Sequence, residues 1–421
     1  MNYYQRANHC PMAMESPTMA PAPCRPEFYR FASRPNPAHL CAVALFSAIT
    51  LLSGCGSFFQ CEGKADCPAA PCVPSSTVTC PATGTDIAYV ANPSTSANTV
   101  NGYDLANGNL TTNATSAPFS FGYQPIAMAV TPANTFLYAV SNPGVSTGYL
   151  YGYAIESGGA LNILSGGMPL VTESAVSLAV SPDGNWLFVL DANSLTLSEY
   201  SINTSTGAVT FATTGAITPG SGTTGNASIN VAVAPSGDYV AVALGTGGLQ
   251  TFTFDTTTGV LTPQNPIAPA TTQIGIYAVA IDANNYLYAA ATNGLAVFSA
   301  TTAGVPTALK TYTAGNGPRS VAVNTASTFV YVGNKTDSTI SGFSIGTNAV
   351  LTAISGSPFT GPTSIGALAI DNTSGYLITS GYNTSTGIEL FAIGTTGALT
   401  SSGSAGSGTN AAVVSAIATT H

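Results

Sequence analysis

From about residue 86 onward the chain alternates short apolar runs with polar turns. An Ala followed by Val or Ile recurs inside these runs, at Ala129-Val130, Ala179-Val180, Ala232-Val233, Ala280-Ile281, Ala322-Val323 and Ala369-Ile370. Successive Val or Ile positions lie 50, 53, 48, 42 and 47 residues apart. Each pair leads into a polar turn such as "SPDGN", "APSGD" or "DNTSG". A second apolar run follows, such as "WLFVL", "YLYAA" or "FVYVG", and then a third and a fourth. Four strands repeated at this period predict an all-β fold, a β-propeller of antiparallel blades. One blade cannot bury its own apolar face, so its neighbours must cover it. The repeated Ala fits a first strand crowded at the central axis, and the next residue alternates to the other face.

Second runs number seven, because "IAYVAN" at 87–92 precedes the six that follow the Ala pairs. That first run has no Ala-Val strand before it. A candidate lies at the other end of the chain, "NAAVVSAIATT", with Ala412-Val413 or Ala416-Ile417 in register. The pattern thus predicts a monomeric seven-bladed propeller over 86–421, its first blade closed by the C-terminal strand, which hides sheet edges. Tyr138, Tyr288 and Tyr331 share one repeated position and are expected in the inter-blade core. Asp183, Asp238, Asp282 and Asp371 fall in the hairpins after the first strands, where Asp stabilises turns more often than it binds calcium. "GTGG" at 245–248 reads as a tight turn.

Composition narrows the function. Of 421 residues, 45% are hydrophobic and 6% charged, with 44 Gly and 27 Pro. This is too apolar for disorder and too rich in turn formers for a helical protein. The net charge is −9. Arg6, Arg25, Arg30 and Arg34 lie early, and only Lys64, Lys310, Arg319 and Lys335 follow. No basic surface is available for nucleic acid. No Walker loop, zinc pattern or dinucleotide fingerprint is present, and neither cofactor nor metal is expected.

The N-terminal part reads as an export signal. An apolar run from Leu40 to Leu52 is too short to cross a bilayer comfortably and suits a signal-peptide core. Arg25, Arg30 and Arg34 supply the positive flank. The run ends in Leu52-Ser53-Gly54-Cys55, which resembles a bacterial lipobox and implies cleavage before Cys55 and lipidation of its thiol. An ordinary exported protein, with Cys55 just another cysteine, is the alternative. Residues 1–54 are expected to be the signal with a long leader, and 55–85 a Cys-rich tether. Cys61, Cys67, Cys72 and Cys80 fit two disulfides in any of three connectivities. A metal site is the alternative, against which the spacing speaks. The expected location is the cell envelope, on a membrane facing the periplasm or the cell surface.

The stretches "YVANPSTSANTVNGYDLANGNLT", "SPDGNWLFVLDANSLTLSEYSINTSTGAVT" and "GPRSVAVNTASTFVYVGNKTDSTISGFSIGTNAVLTAISGSPF" resemble the lactonase-family propellers, which include 6-phosphogluconolactonase-like enzymes. The resemblance covers about 86–421. It implies a site on the face where chain enters each first strand and leaves each second strand. The incoming segments carry Gln124, Glu173, Asn226, Gln273, Arg319 and Ser364. The outgoing segments carry Asn92, Asn142, Asp191, Asn193, Asn293, Asn334, Lys335 and Asn383. Of these, Arg319, Lys335, Glu173, Asp191, Gln124, Gln273 and Asn334 are the candidate ligand-binding residues. Arg319 and Lys335 are expected together on the sixth blade, with Glu173 and Asp191 roughly opposite on the third.

Lactone hydrolysis needs a base to activate water and donors for the oxyanion. The resemblance implies His, Arg and Glu in these roles. The family's Pro-Arg-His reads here Pro318-Arg319-Ser320, and the Glu expected after the second strand of that blade reads Lys335. The histidines are His9, His39 and His421, none in a predicted mouth loop. An anionic protein also disfavours the approach of a phosphosugar. Two functions fit: a lipid-anchored, non-catalytic propeller that binds a small carboxylate- or phosphate-bearing ligand or an envelope partner, and a lactone hydrolase with an atypical site. The missing histidines favour the first.

Overall fold

Seven antiparallel sheets follow one another around a ring, as the repeat predicts. The computed structural model describes residues 86–421 apart from 93–97, 106–107, 113–118, 145–146, 165–169, 173, 219–228, 265, 267–274, 302–303, 382–386 and 406–415. The chain divides into two units, 1–73 and 74–421. In the first, only the pairing of Ala7–Asn8 with Pro26–Glu27 is described. The candidate lipidation residue Cys55 and the cysteines 61, 67, 72 and 80 lie outside the described residues. Among the described residues no helix is long and apolar enough to cross a membrane.

Blades two to seven begin with Pro125–Val130, Ala175–Val180, Asn230–Val233, Ile276–Ile281, Pro318–Val323 and Ala367–Ile370. Each continues outward through three further strands in sequence order. Blade one runs Ile417–Thr419, Ile87–Asn92, Thr99–Asp104, Thr111–Thr112, so the two ends of the propeller share a sheet. The register of the closing strand differs from both sequence candidates. Ala418 pairs with Tyr89 as Ala322 pairs with Tyr331. The small residue at the axis is therefore Ala418, two places beyond Ala416. In blades one, two and six a second short segment, Phe119–Ser120, Leu170–Thr172 or Phe359–Thr360, also pairs with the third strand.

The core lies between blades. Seven clusters of buried side chains map one to each seam. Tyr138, Tyr288 and Tyr331 are in them, as their shared position predicts. At three seams a second-strand tyrosine also spans the gap. The hydroxyls of Tyr89, Tyr138 and Tyr331 donate to the carbonyls of Gly159, Gly207 and Gly397, each in a turn of the next blade, at 2.9, 2.7 and 2.7 Å. Burial pushes all three phenols well above their ordinary range, so they stay protonated donors. The hairpin aspartates mostly behave as expected. Asp183, Asp282 and Asp371 accept the backbone amides of Asn185, Asn284 and Tyr376 within their own turns.

Candidate functional site

Chain entering a first strand and chain leaving a second strand bond to each other on the same blade. The Lys335 amide donates to the Gly317 carbonyl at 2.8 Å, and the Thr292 amide to the Gly275 carbonyl at 2.9 Å. These segments therefore share one face, called here the mouth. On blade six the two segments are also clamped by Asp337, which accepts the Asn316 amide at 2.7 Å and its side-chain N–H at 3.0 Å. The Asn316 amide and side chain hold the Asp337 carboxyl below its ordinary range. Gly317 closes the turn at φ +70°, and a Cβ there would meet Thr336 Oγ1 at 2.3 Å.

Arg319 and Lys335 line one cavity of about 460 Å³, together with the hydroxyl-bearing Thr336, Ser338, Thr363 and Ser364. The last two lie on the segment entering blade seven, so the cavity lies at the seam of blades six and seven. Ser338 and Ser364 both adopt left-handed backbone, at φ 57° and 55°. The Ser364 amide donates to Ser338 Oγ at 2.9 Å, which ties the two rims together. Asp337 is engaged with Asn316, and no ion pair occupies Arg319 or Lys335 among the described residues.

On its other side Arg319 stacks on blade five. Its guanidinium carbon lies 3.4 Å from the centroid of the Tyr277 ring. Stacking leaves the edge N–H groups of the guanidinium free to grip an anion in parallel. The Arg319 guanidinium close to the phenol oxygen holds Tyr277 below its ordinary value; partial burial opposes this and Thr292 reinforces it. Gly275 makes room for this arrangement, since a Cβ there would lie 2.8 Å from the Tyr277 hydroxyl.

The other sequence candidates fare differently. Asp191 is on the mouth face but buried. Its carboxylate accepts the amides of Ser174, Asn193 and Ser194, which makes it a turn anchor. Asn334 is fully buried and donates within its blade to Thr339 and Ser341 at 3.0 and 2.9 Å. Gln124 is half-buried beside the mouth, and its Nε2 is shielded with no protein partner among the described residues. Glu173 and Gln273 lie outside the described residues, as do Asn226 and Asn383. The expected acidic pair opposite Arg319 thus reduces to Asp191, already committed to its turn. Tyr277 was not a sequence candidate. Its position, three residues before the repeated Ala, is that of Arg319, and this was the available signal.

Residues 87–414 match the family described as Lactonase, 7-bladed beta-propeller. The chain belongs to the lactonase family. No curated protein sequence matches it. Among solved structures it is similar to a protein from Lactobacillus plantarum, with TM-score 0.64 and 18% identity over 80% of this chain and 100% of that one. It is also similar to two provisionally named 6-phosphogluconolactonases. That from Bacteroides uniformis has TM-score 0.63 and 16% identity over 76% of this chain and 95% of its own. That from Bacteroides fragilis has TM-score 0.62 and 15% identity over 81% and 99%. At such identities the likeness bears on the fold alone.

Proposed function

We propose that this lactonase-family propeller is an exported, lipid-anchored protein that binds a carboxylate- or phosphate-bearing ligand at its mouth without hydrolysing it. The observation that carries the binding reading is the convergence of Arg319 and Lys335 on one hydroxyl-rich cavity, with no carboxylate paired to either among the described residues. Among the described residues the cavity lining contains no histidine and no carboxylate to act as a general base. Arg319→Ala is expected to abolish binding of small organic anions, measured by titration calorimetry. The melting midpoint should hardly change, since an exposed cation–π contact is worth only ~0.5–1 kcal/mol. Lys310→Ala, on the outer strand of blade five, should change neither. Undiminished anion binding by the Arg319 variant would remove the basis of this reading.

A second reading, hydrolysis of a lactone, has one observation in its favour. Tyr277 is a phenol with a lowered pKa beside a guanidinium, a pairing that can supply a base and an oxyanion donor. Assay of the purified domain against sugar and aryl lactones decides between the two. Turnover that rises toward alkaline pH and is lost in Tyr277→Phe would establish the hydrolase.

The anchor rests on Leu52-Ser53-Gly54-Cys55 after the apolar run. Lipidation at Cys55 with three acyl chains would exceed the two-signal requirement for stable anchoring. Cys55→Ser is therefore expected to release the protein from membranes or block its processing. Partition of that variant into detergent at the wild-type level would exclude the anchor.

A further inference from the structure

The first strands share a device that sets what surrounds Arg319. In blades two, three, five and six the register against the second strand slips by one residue near the mouth. The extra residues are Ile126, Val176, Tyr277 and Arg319. A bulge of this kind re-aims one side chain and is enriched beside functional sites. Pairing of Asn230 with Ala243, and of Ala367 with Ser380, puts Ile229 and Gly366 at the same repeat position in blades four and seven. On blades five and six the side chains at this position, Tyr277 and Arg319, reach each other across the seam.

Around the ring the position therefore reads Ile126, Val176, Ile229, Tyr277, Arg319, Gly366 from blade two to blade seven. Three successive blades supply branched aliphatic side chains: Ile229 is 37% exposed, while Ile126 and Val176 are half-buried and also pack on the seams beside them. The next two supply an aromatic ring and the cation. Gly366 adds no side chain on blade seven, which adjoins the hydroxyl-lined cavity. Among the described residues, one arc of the mouth is thus apolar at this position, and the other carries positive charge and hydroxyls.

We propose that the mouth selects a monocarboxylate with an apolar body, its carboxylate held by Arg319 and Lys335 and its body lying over Tyr277 toward Ile229 and Val176. This rests on the anion-binding reading above and narrows it. A polyhydroxylated acid or a free phosphate would leave the aliphatic arc in water and bury hydroxyls against it without partners. An aryl or acyl carboxylate removes apolar surface on both sides while keeping a planar head for the guanidinium fork.

The test is calorimetric titration of the purified domain with 4-phenylbutyrate, gluconate and inorganic phosphate. The wild type should bind 4-phenylbutyrate at least tenfold more tightly than the other two. The double variant Val176→Thr/Ile229→Asn, with its melting midpoint checked, should lose at least tenfold toward 4-phenylbutyrate and leave phosphate unaffected. Gluconate or phosphate binding as tightly as 4-phenylbutyrate, with that binding lost in Arg319→Ala, would overturn this inference and leave the anion site standing. An unchanged affinity of the double variant for 4-phenylbutyrate would also overturn it. Failure of all three to bind the wild type would bring down both.

Discussion

Removal of residues 416–421 is expected to destabilise the propeller by on the order of 5 kcal/mol and to lower its melting midpoint by about 10 °C or more. These six residues hold three blades at once. Ile417, Ala418 and Thr419 pair with Val90, Tyr89 and Ala88. The Ala91 amide donates to the Ala416 carbonyl at 2.9 Å. The Thr420 amide donates to the Ile87 carbonyl at 2.9 Å, and the Ile87 amide donates to Thr420 Oγ1 at 2.9 Å. The Thr419 hydroxyl reaches the Ile370 carbonyl of blade seven at 3.3 Å. Asn134 of blade two donates to the His421 carbonyl at 2.6 Å and accepts its amide at 2.7 Å.

Each such bond contributes about 1 kcal/mol net, and a buried group left unpaired costs more. The strand Ile87–Asn92 would also face the channel uncovered, although Ala88, Tyr89 and Val90 are now wholly buried. Against a total stability of about 5–15 kcal/mol this loss is large. Thermal melts of the full and shortened domains measure it. Amide exchange at Ile87 and Ala91 locates it, since those two amides should lose protection first. A shortened domain that melts within about 2 °C of the full one would show that the ring does not depend on this strand.

The ring was legible because its signal is repeated. One Ala-Val strand means little, but six at a near-constant spacing leave few folds that bury them all. The closing strand was legible as an element and not in register. "AAVVSAIATT" offers a small residue at several positions, and only the pairing of Ala418 with Tyr89 selects one. Topology alone brought Arg319 and Lys335 to one rim, since it fixes which loops share a face. It could not say where Asp191 and Asn334 point. Short polar side chains at strand ends compete for nearby amides and hydroxyls, and both found local partners. Tyr277 stayed hidden because an aromatic in an apolar run reads as strand core, whereas Arg319 at the equivalent bulge stood out by its charge. The tyrosine latches were half visible: the repeated position marked the rings as core, whereas the glycine carbonyls they reach lie about 70 residues away, at Gly159, Gly207 and Gly397.

Glu199 is expected to make the seam of blades three and four weaken as pH rises from about 4.5 to about 7. At this seam the latch is altered. The second-strand residue is Phe188, which has no hydroxyl, and its neighbour across the ladder is Glu199. In the blades carrying Tyr89, Tyr138 and Tyr331 that neighbour is a glycine. Glu199 is wholly buried, and neither carboxyl oxygen has a hydrogen-bond partner among the described residues. The turn glycine of the next blade packs directly on it, for a Cβ on Gly259 would lie 2.7 Å from Glu199 Oε1. Burial pushes the Glu199 carboxyl up to about 7 from its ordinary value of 4.5. Between those two values the native state keeps a proton that the unfolded chain has released, so stability falls as pH rises through the window and levels off above it. The total is on the order of 3 kcal/mol.

Glu199→Gln keeps the shape and removes the charge. It should match the wild type near pH 4 and exceed it by up to about 3 kcal/mol at pH 8. Asp86 and Glu389 are also raised, the first by burial and then by Asp371, the second by burial, so both proteins keep a residual slope in the same direction. Asp255 and Asp337, held below their ordinary range by backbone amides, act oppositely and lose their contribution only in more acidic solution. The difference between wild type and variant therefore isolates Glu199. Urea midpoints from pH 4 to pH 8 measure it. Parallel curves for the two proteins would mean that Glu199 ionises in place, with water or a cation reaching it between the blades.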